Sequence, residues 1–327
     1  MVCASWLPAV RAADSSLLAQ APADSDVLVG INLKQIRESD LGKSILAQVG
    51  TGNPQFQAMA AMAGFDPLRD LDEVLIAAPA KPNPTAFLML RGSFDAAKLS
   101  QLAAVGGMKS ADYHGVKIFN KPEDQSGVSA MAIIDRSLVV GGNQAGVQAF
   151  VDRRGQPSGM KADLAAKAAE VSKANDIWLV MHAAPAAFAP ESATAGPMGD
   201  LVKSIEEATL GLKLGSDIVL SIGAVAHTAQ DAEGLAAAVR LFTGMAAAGQ
   251  KDNKQVAALL QKLKVGTEGS TAKLTLTVSE ADAEAAIRDA IASMGQAKPA
   301  PAPAPSPTPA PAPGSDSGVV KLPAQKQ

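Results

Sequence analysis

Ser158 and Lys161, in "SGMK", stand at the Ser-x-x-Lys spacing that lets a lysine amine take the proton of a serine nucleophile. The pattern has two fixed positions, no Lys-Thr-Gly follows it, and it lies in a Pro/Gly-rich joint. No Gly-x-Ser-x-Gly elbow occurs. "DLGKS" at 40–44 resembles the end of a phosphate loop, but the earlier glycine that lets backbone N–H groups close on a phosphate is replaced by Arg37. Lys43 therefore reads as an exposed helix lysine. The histidines are His114, His182 and His227, and none has another His or Cys within four residues, so compact zinc spacing is missing. His182 and His227 lie near strand ends and are the two that could meet at a shared rim. "GGNQAG" at 141–146 misplaces the second glycine of a dinucleotide fingerprint. Met59 and Met62 sit three apart, which reads as core packing. Asp135-Arg136-Ser137, between "AMAII" and "LVV", is either a reactive acid-base-hydroxyl loop or a hairpin turn in which Asp and Ser bond local backbone. The spacing favours the turn. The sequence assigns no catalytic, cofactor-binding or metal-ligating residue, and no cofactor.

Composition narrows the function classes. The chain has 327 residues, a net charge of −3 and only 11 aromatics, eight Phe, two Trp and one Tyr. Scarce rings argue against stacking on sugars or single-stranded nucleic acid. Lys and Arg are spread rather than striped, so a phosphate backbone is a poor partner. No run of eighteen apolar residues predicts a membrane span. Cys3 is the only cysteine, so an intrachain disulfide is impossible. "MVCASWLPAVRAADSS" is apolar before Val10-Arg11-Ala12, with small or apolar residues where a signal peptidase reads. This predicts a truncated signal peptide over 1–12, a linker over 13–25, and a periplasmic or secreted location.

The elements that must position any site read as two similar passes. "DVLVGINL" (26–33) is an apolar strand, followed by helical stretches at 39–49 and 56–63, and "DEVLIAAP" and "TAFLMLRGSF" then form a strand pair. "MKSADY" and "VKIFN" are joined by His114-Gly115, a tight turn needing positive φ. Asn143 is an N-cap for the helix in "NQAGVQAFVDRR". "DIWLVMHAAP" (176–185) echoes the first strand about 150 residues later, and "STAKLTLTVS" alternates cleanly. Thr228 with Asp231 and Ser279 with Asp282 fit a shortened capping box, in which hydroxyl and carboxylate serve the helix start. The predicted fold is α+β, with two related β-α-β-β-α-β-β-α repeats, mainly antiparallel sheets and helices packed on one face. Lobe 1 covers 26–155, a connecting segment 156–173 and lobe 2 174–296. Alternating Pro over 297–327 predicts a disordered Pro/Ala-rich tail of polyproline II character, read as a solvated spacer.

Tyr113-His114-Gly115-Val116 opens a strand pair, and "MAIIDRSLVVGGNQAGVQAFVD" follows with an acidic turn and an "LVVGG" exit strand into a helix. Through these residues the chain resembles an uncharacterised family of secreted bacterial proteins of unknown function with a duplicated α+β repeat. The resemblance covers most of 24–155 and, more faintly, 174–294. It implies a secreted scaffold and transfers no site residues.

The leading expectation is a non-catalytic extracytoplasmic protein of the bacterial envelope, binding an unknown envelope protein or serving a structural role. Two alternatives stay open: a hydrolase whose site is assembled from distant residues, and a carrier of a small apolar ligand in a cleft between helices and sheet.

Overall fold

The computed structural model describes residues 17–52, 65–81, 85–121, 127–183, 196–249 and 254–283. The expected leader over 1–12 with Cys3, the helical stretch at 56–63 with Met59 and Met62, and the tail over 297–327 lie outside the described residues.

Twelve strands form one sheet. They are β1 (Val27–Asn32), β2 (Leu71–Ala78), β3 (Phe87–Gly92), β4 (Lys109–Tyr113), β5 (Val116–Asn120), β6 (Ala130–Ile133), β7 (Leu138–Gly142), β8 (Ile177–Met181), β9 (Ile205–Leu214), β10 (Asp217–Ala226), β11 (Lys264–Glu268) and β12 (Thr271–Ser279). Their order is β11-β12-β10-β9-β8-β1-β2-β3-β7-β6-β5-β4, antiparallel at every step. The two apolar strands that echo each other in sequence, β1 and β8, pair side by side with Gly30 opposite Trp178. A Cβ on Gly30 would fall 2.1 Å from the Trp178 ring, so only glycine leaves room for this buried indole.

The helices are α1 (Leu33–Glu38), α2 (Asp40–Gly52), α3 (Pro67–Asp70), α4 (Ala96–Val105), α5 (Gln144–Asp152), α6 (Ala162–Ala174), α7 (Gly196–Lys203), α8 (Ala229–Gly249) and α9 (Lys254–Gln261), with a 3-10 turn at Leu18–Gln20. They cover both faces of the sheet, not one as the sequence suggests. Successive side chains of a strand point to opposite faces, and successive residues here enter different clusters. Leu75, Met89 and Val140 pack with Val147 and Phe150 of α5 and Leu164 and Ala168 of α6. Their neighbours Val74, Leu90 and Val139 pack with Leu99 of α4 and Leu33 of α1. The physical reason is in strands such as "VLVGIN", apolar on both sides, which need cover above and below.

The strand tally also departs from the predicted pattern. Four strands, β4 to β7, follow α4 in the first half, whereas two, β11 and β12, follow α8 and α9 in the second. The additional hairpin β4–β5 turns on His114 (φ 49°) and Gly115 (φ 76°), the positive-φ pair expected of that dipeptide.

Local capping follows the sequence. Asn143 Oδ1 accepts from Gly146 N at 2.7 Å, and Thr228 Oγ1 accepts from Asp231 N at 3.1 Å while donating to its carboxylate at 2.7 Å. Ser279 Oγ accepts from Asp282 N at 3.3 Å, where a helix begins at 280.

Candidate functional site

The residues that could have done chemistry are held in other work. Ser158 Oγ accepts from Met160 N at 3.2 Å, a local turn bond. Lys161 does not turn to Ser158. Its ammonium donates to Asp26 Oδ1 at 2.8 Å, and that carboxylate holds the lysine pKa above its ordinary value, the wrong direction for a general base. Asp135 Oδ1 accepts from Ser137 N at 2.6 Å and Ser137 Oγ at 2.7 Å between β6 and β7, so the polar trio is a hairpin turn. Burial alone would raise the Asp135 pKa, but the Ser137 and Leu138 bonds and the Arg154 charge together outweigh it and hold it low. Lys43 is exposed in the first turn of α2 and pairs with Asp40 at 2.7 Å.

Each histidine faces carboxylates. His114 Nδ1 lies 3.1 Å from Asp152 and its ring stacks on Tyr113. His227 Nε2 lies 3.5 Å from Glu206. His182 is the most engaged, with Nε2 3.1 Å from Asp163 of α6 and Nδ1 3.4 Å from Glu207 of β9. His182 and His227 thus take adjacent but different acids on β9. Among the described residues, no group of three or more His, Cys, Asp or Glu is arranged to hold a metal ion.

Two acids that sequence reasoning passed over organise the sheet. Asp26, just before β1, accepts Ala80 N on Oδ2 at 2.9 Å and Lys161 on Oδ1. Asp176, just before β8, accepts Leu214 N on Oδ2 at 2.7 Å and Lys213 Nζ on Oδ1 at 2.7 Å. Val27 faces Ala78 and Ile177 faces Leu212, so in both cases the bonded N–H lies two residues beyond the register partner. Asp176 is fully buried while Asp26 is partly exposed. The available signal was the Asp that begins both "DVLVGINL" and "DIWLVMHAAP".

The candidate binding surface lies on the sheet face away from α5 and α6. Residues directly opposite in antiparallel strands share a face. Following the register from β3 to β12 gives Leu88, Ile76, Val29, Leu179, Leu210, Ile222 and Leu274. This is an unbroken aliphatic row across seven strands. Six inter-strand steps of about 4.8 Å make it about 29 Å long. Every member is partly exposed, and among the described residues none belongs to the four buried clusters. On one side runs a parallel row, Leu90, Val74, Ile31, Ile177, Leu212, Leu220 and Leu276. Its inner members pack on Leu33, Ile36 and Leu41 of α1 and α2. On the other side Ala224 and Ala272 pack on Leu201 of α7 and Leu235 of α8. The row is therefore a floor between helical walls, with aliphatic side chains and no ionisable group along it.

No protein-family model matches the chain, and no curated protein matches it. Among solved structures the chain is similar to crystal form I of TP0453, with 14% sequence identity and a TM-score of 0.45, over 87% of this chain and 99% of that one.

Proposed function

We propose that this protein is a non-catalytic binding protein that works outside the cytoplasm and holds an apolar ligand against the aliphatic row. The observation that carries this reading is the row itself, seven register-matched aliphatic side chains left partly exposed between helices. Contiguous exposed apolar surface marks a binding site in soluble proteins, and ligand sites are concave and predominantly apolar. A floor without donors or acceptors selects by shape and hydrophobicity rather than by head group. The extracytoplasmic location rests on the apolar start and Val10-Arg11-Ala12, and fits the resemblance to secreted bacterial scaffolds. The matching Asp26 and Asp176 bonds, with strand order running outward from β1–β8 on both sides, support an internal duplication that built the floor from two halves.

Binding of N-phenyl-1-naphthylamine, an uncharged fluorophore that brightens in apolar sites, tests the proposal. Saturable enhancement with the wild-type chain, lost in Leu210→Lys and Ile222→Lys variants that keep the wild-type circular dichroism, is the expected result. Equal enhancement in wild type and both variants contradicts it.

A further inference from the structure

A groove lies on the opposite side of the sheet from the row, where residues 22–25 pass the start of α5. It has a volume of about 620 Å³, within the range of small-molecule sites. Ala77, Ala86, Phe87, Ala149 and Phe150 supply apolar wall, with Phe87 and Phe150 stacked at 5.5 Å between centroids. Small residues keep it open from the helix side: Ala145 and Ala149 are exposed, and a Cβ on Gly146 would reach Asn143 Oδ1 at 3.0 Å and the Phe87 ring at 3.6 Å.

Its charged lining is unequal. Lys81, Arg153 and Asp24 all border it, and Lys81 lies 4.0 Å from Asp24 at the limit of an ion pair. Arg153 has no carboxylate within ion-pair distance among the described residues. It donates from one terminal nitrogen to the Ser158 carbonyl at 2.9 Å and from the other to the Gln20 carbonyl at 2.7 Å, and its guanidinium carbon sits 5.8 Å from the Phe150 ring centroid. A guanidinium has five N–H donors, so three remain beside an apolar wall. Neutral carbonyls fix this side chain without cancelling its charge, and burial pushes its pKa below the ordinary value while Asp24 opposes that shift from a distance.

We infer that this groove binds a single-chain amphiphile with an anionic head. The head lies against Arg153, with Lys81 adding attraction, and the apolar body runs along Phe87, Phe150 and the small face of α5. The site is independent of the aliphatic row, which lies on the other face and carries no charge.

The test uses the full-length chain with 11-(dansylamino)undecanoic acid and its methyl ester as probes. Wild type binds the acid at least roughly tenfold more tightly than the ester, as expected of charge-assisted bonds to a partly buried cation. Lys81→Gln and Arg153→Gln narrow that preference. Because Arg153 also fastens the chain at Gln20 and Ser158, Ala149→Trp provides a check at an exposed helix position: it fills the groove and removes the acid-over-ester preference while the fold survives by circular dichroism. Ile222→Lys, which blocks the row on the other face, leaves the acid-over-ester preference in place. Equal affinity for acid and ester overturns the inference, as does an acid-over-ester preference that persists in Ala149→Trp. Loss of acid binding in Ile222→Lys but not in Ala149→Trp assigns the probe to the aliphatic row and likewise overturns it.

Discussion

Leu75 and Ile76 are neighbours in β2, yet they meet different surroundings. Leu75 points under α5 and α6 and is 1% exposed, and its companions Leu28, Met89 and Val180 are fully buried. Ile76 points the other way, with Val29, Leu88 and Leu179, and all four stay partly exposed. Both faces are equally aliphatic in sequence. The difference teaches that hydrophobicity alone does not divide core from binding surface in this sheet: helix cover does. One face encloses its aliphatic side chains under α5 and α6, and the other packs part of its own under α1, α2 and α4 and leaves the row from Leu88 to Leu274 partly exposed.

The comparison is sharpest for like substitutions. Leu75→Ala removes a fully enclosed side chain and lowers stability by roughly 2–5 kcal/mol. Leu210→Ala, on the open row, costs about 1 kcal/mol because part of its surface already meets water, and it weakens binding of the uncharged fluorophore. Urea denaturation of both variants measures the contrast, and equal losses would erase it.

The paired corner acids extend the contrast from faces to halves. Asp176→Ala strips a fully buried carboxylate from the Leu214 N–H and Lys213, and costs roughly 3 kcal/mol. Asp26→Ala, at the partly exposed counterpart, costs about 1 kcal/mol. Thermal unfolding of the two variants ranks them, and a larger loss at Asp26 would contradict the assignment.

Acid titration separates the Asp26 contribution further. Burial works against its ionisation, but the Lys161 bond, the Ala80 N–H and the nearby positive charge prevail, so the folded pKa lies below the ordinary aspartate value. A group with a depressed folded pKa stabilises above its unfolded pKa and loses that contribution as pH falls through the folded value. The stability difference between wild type and Asp26→Asn is therefore flat above about pH 5 and shrinks below about pH 4. A difference that grows on acidification would reverse the sign and refute the pairing. The smallest effect belongs to the hairpin turn. Asp135→Ala loosens one exposed bend, costs about 0.5–1 kcal/mol, and leaves binding of both probe types unchanged.

Much of the local structure was legible in the residues. His114-Gly115 specified a positive-φ turn, Asn143 and Thr228 specified caps, and Asp135-Arg136-Ser137 specified a hairpin, because each depends on contacts within about four residues. The union of the halves was not legible in the same way. It rests on β1 pairing with β8 about 150 residues later, and no local pattern fixes which strand becomes the neighbour. The one-face expectation follows from the alternation of strands and helices alone, whereas Val27, Leu28, Val29 and Ile31 of "VLVGIN" put aliphatic side chains on both faces of the strand. The candidate row was hidden for a further reason. Its members, from Leu88 to Leu274, come from seven separate strands and become a surface only through register.

The central claim is that the row is a binding floor rather than unfinished core. Methyl NMR of the full chain with a spin-labelled alkane tests it directly. The account predicts selective broadening of Ile76, Val29, Leu179, Leu210 and Ile222 methyls, with Val140 and Leu164 under the opposite helices unaffected. Broadening confined to Val140 and Leu164, or spread evenly over both faces, would contradict it.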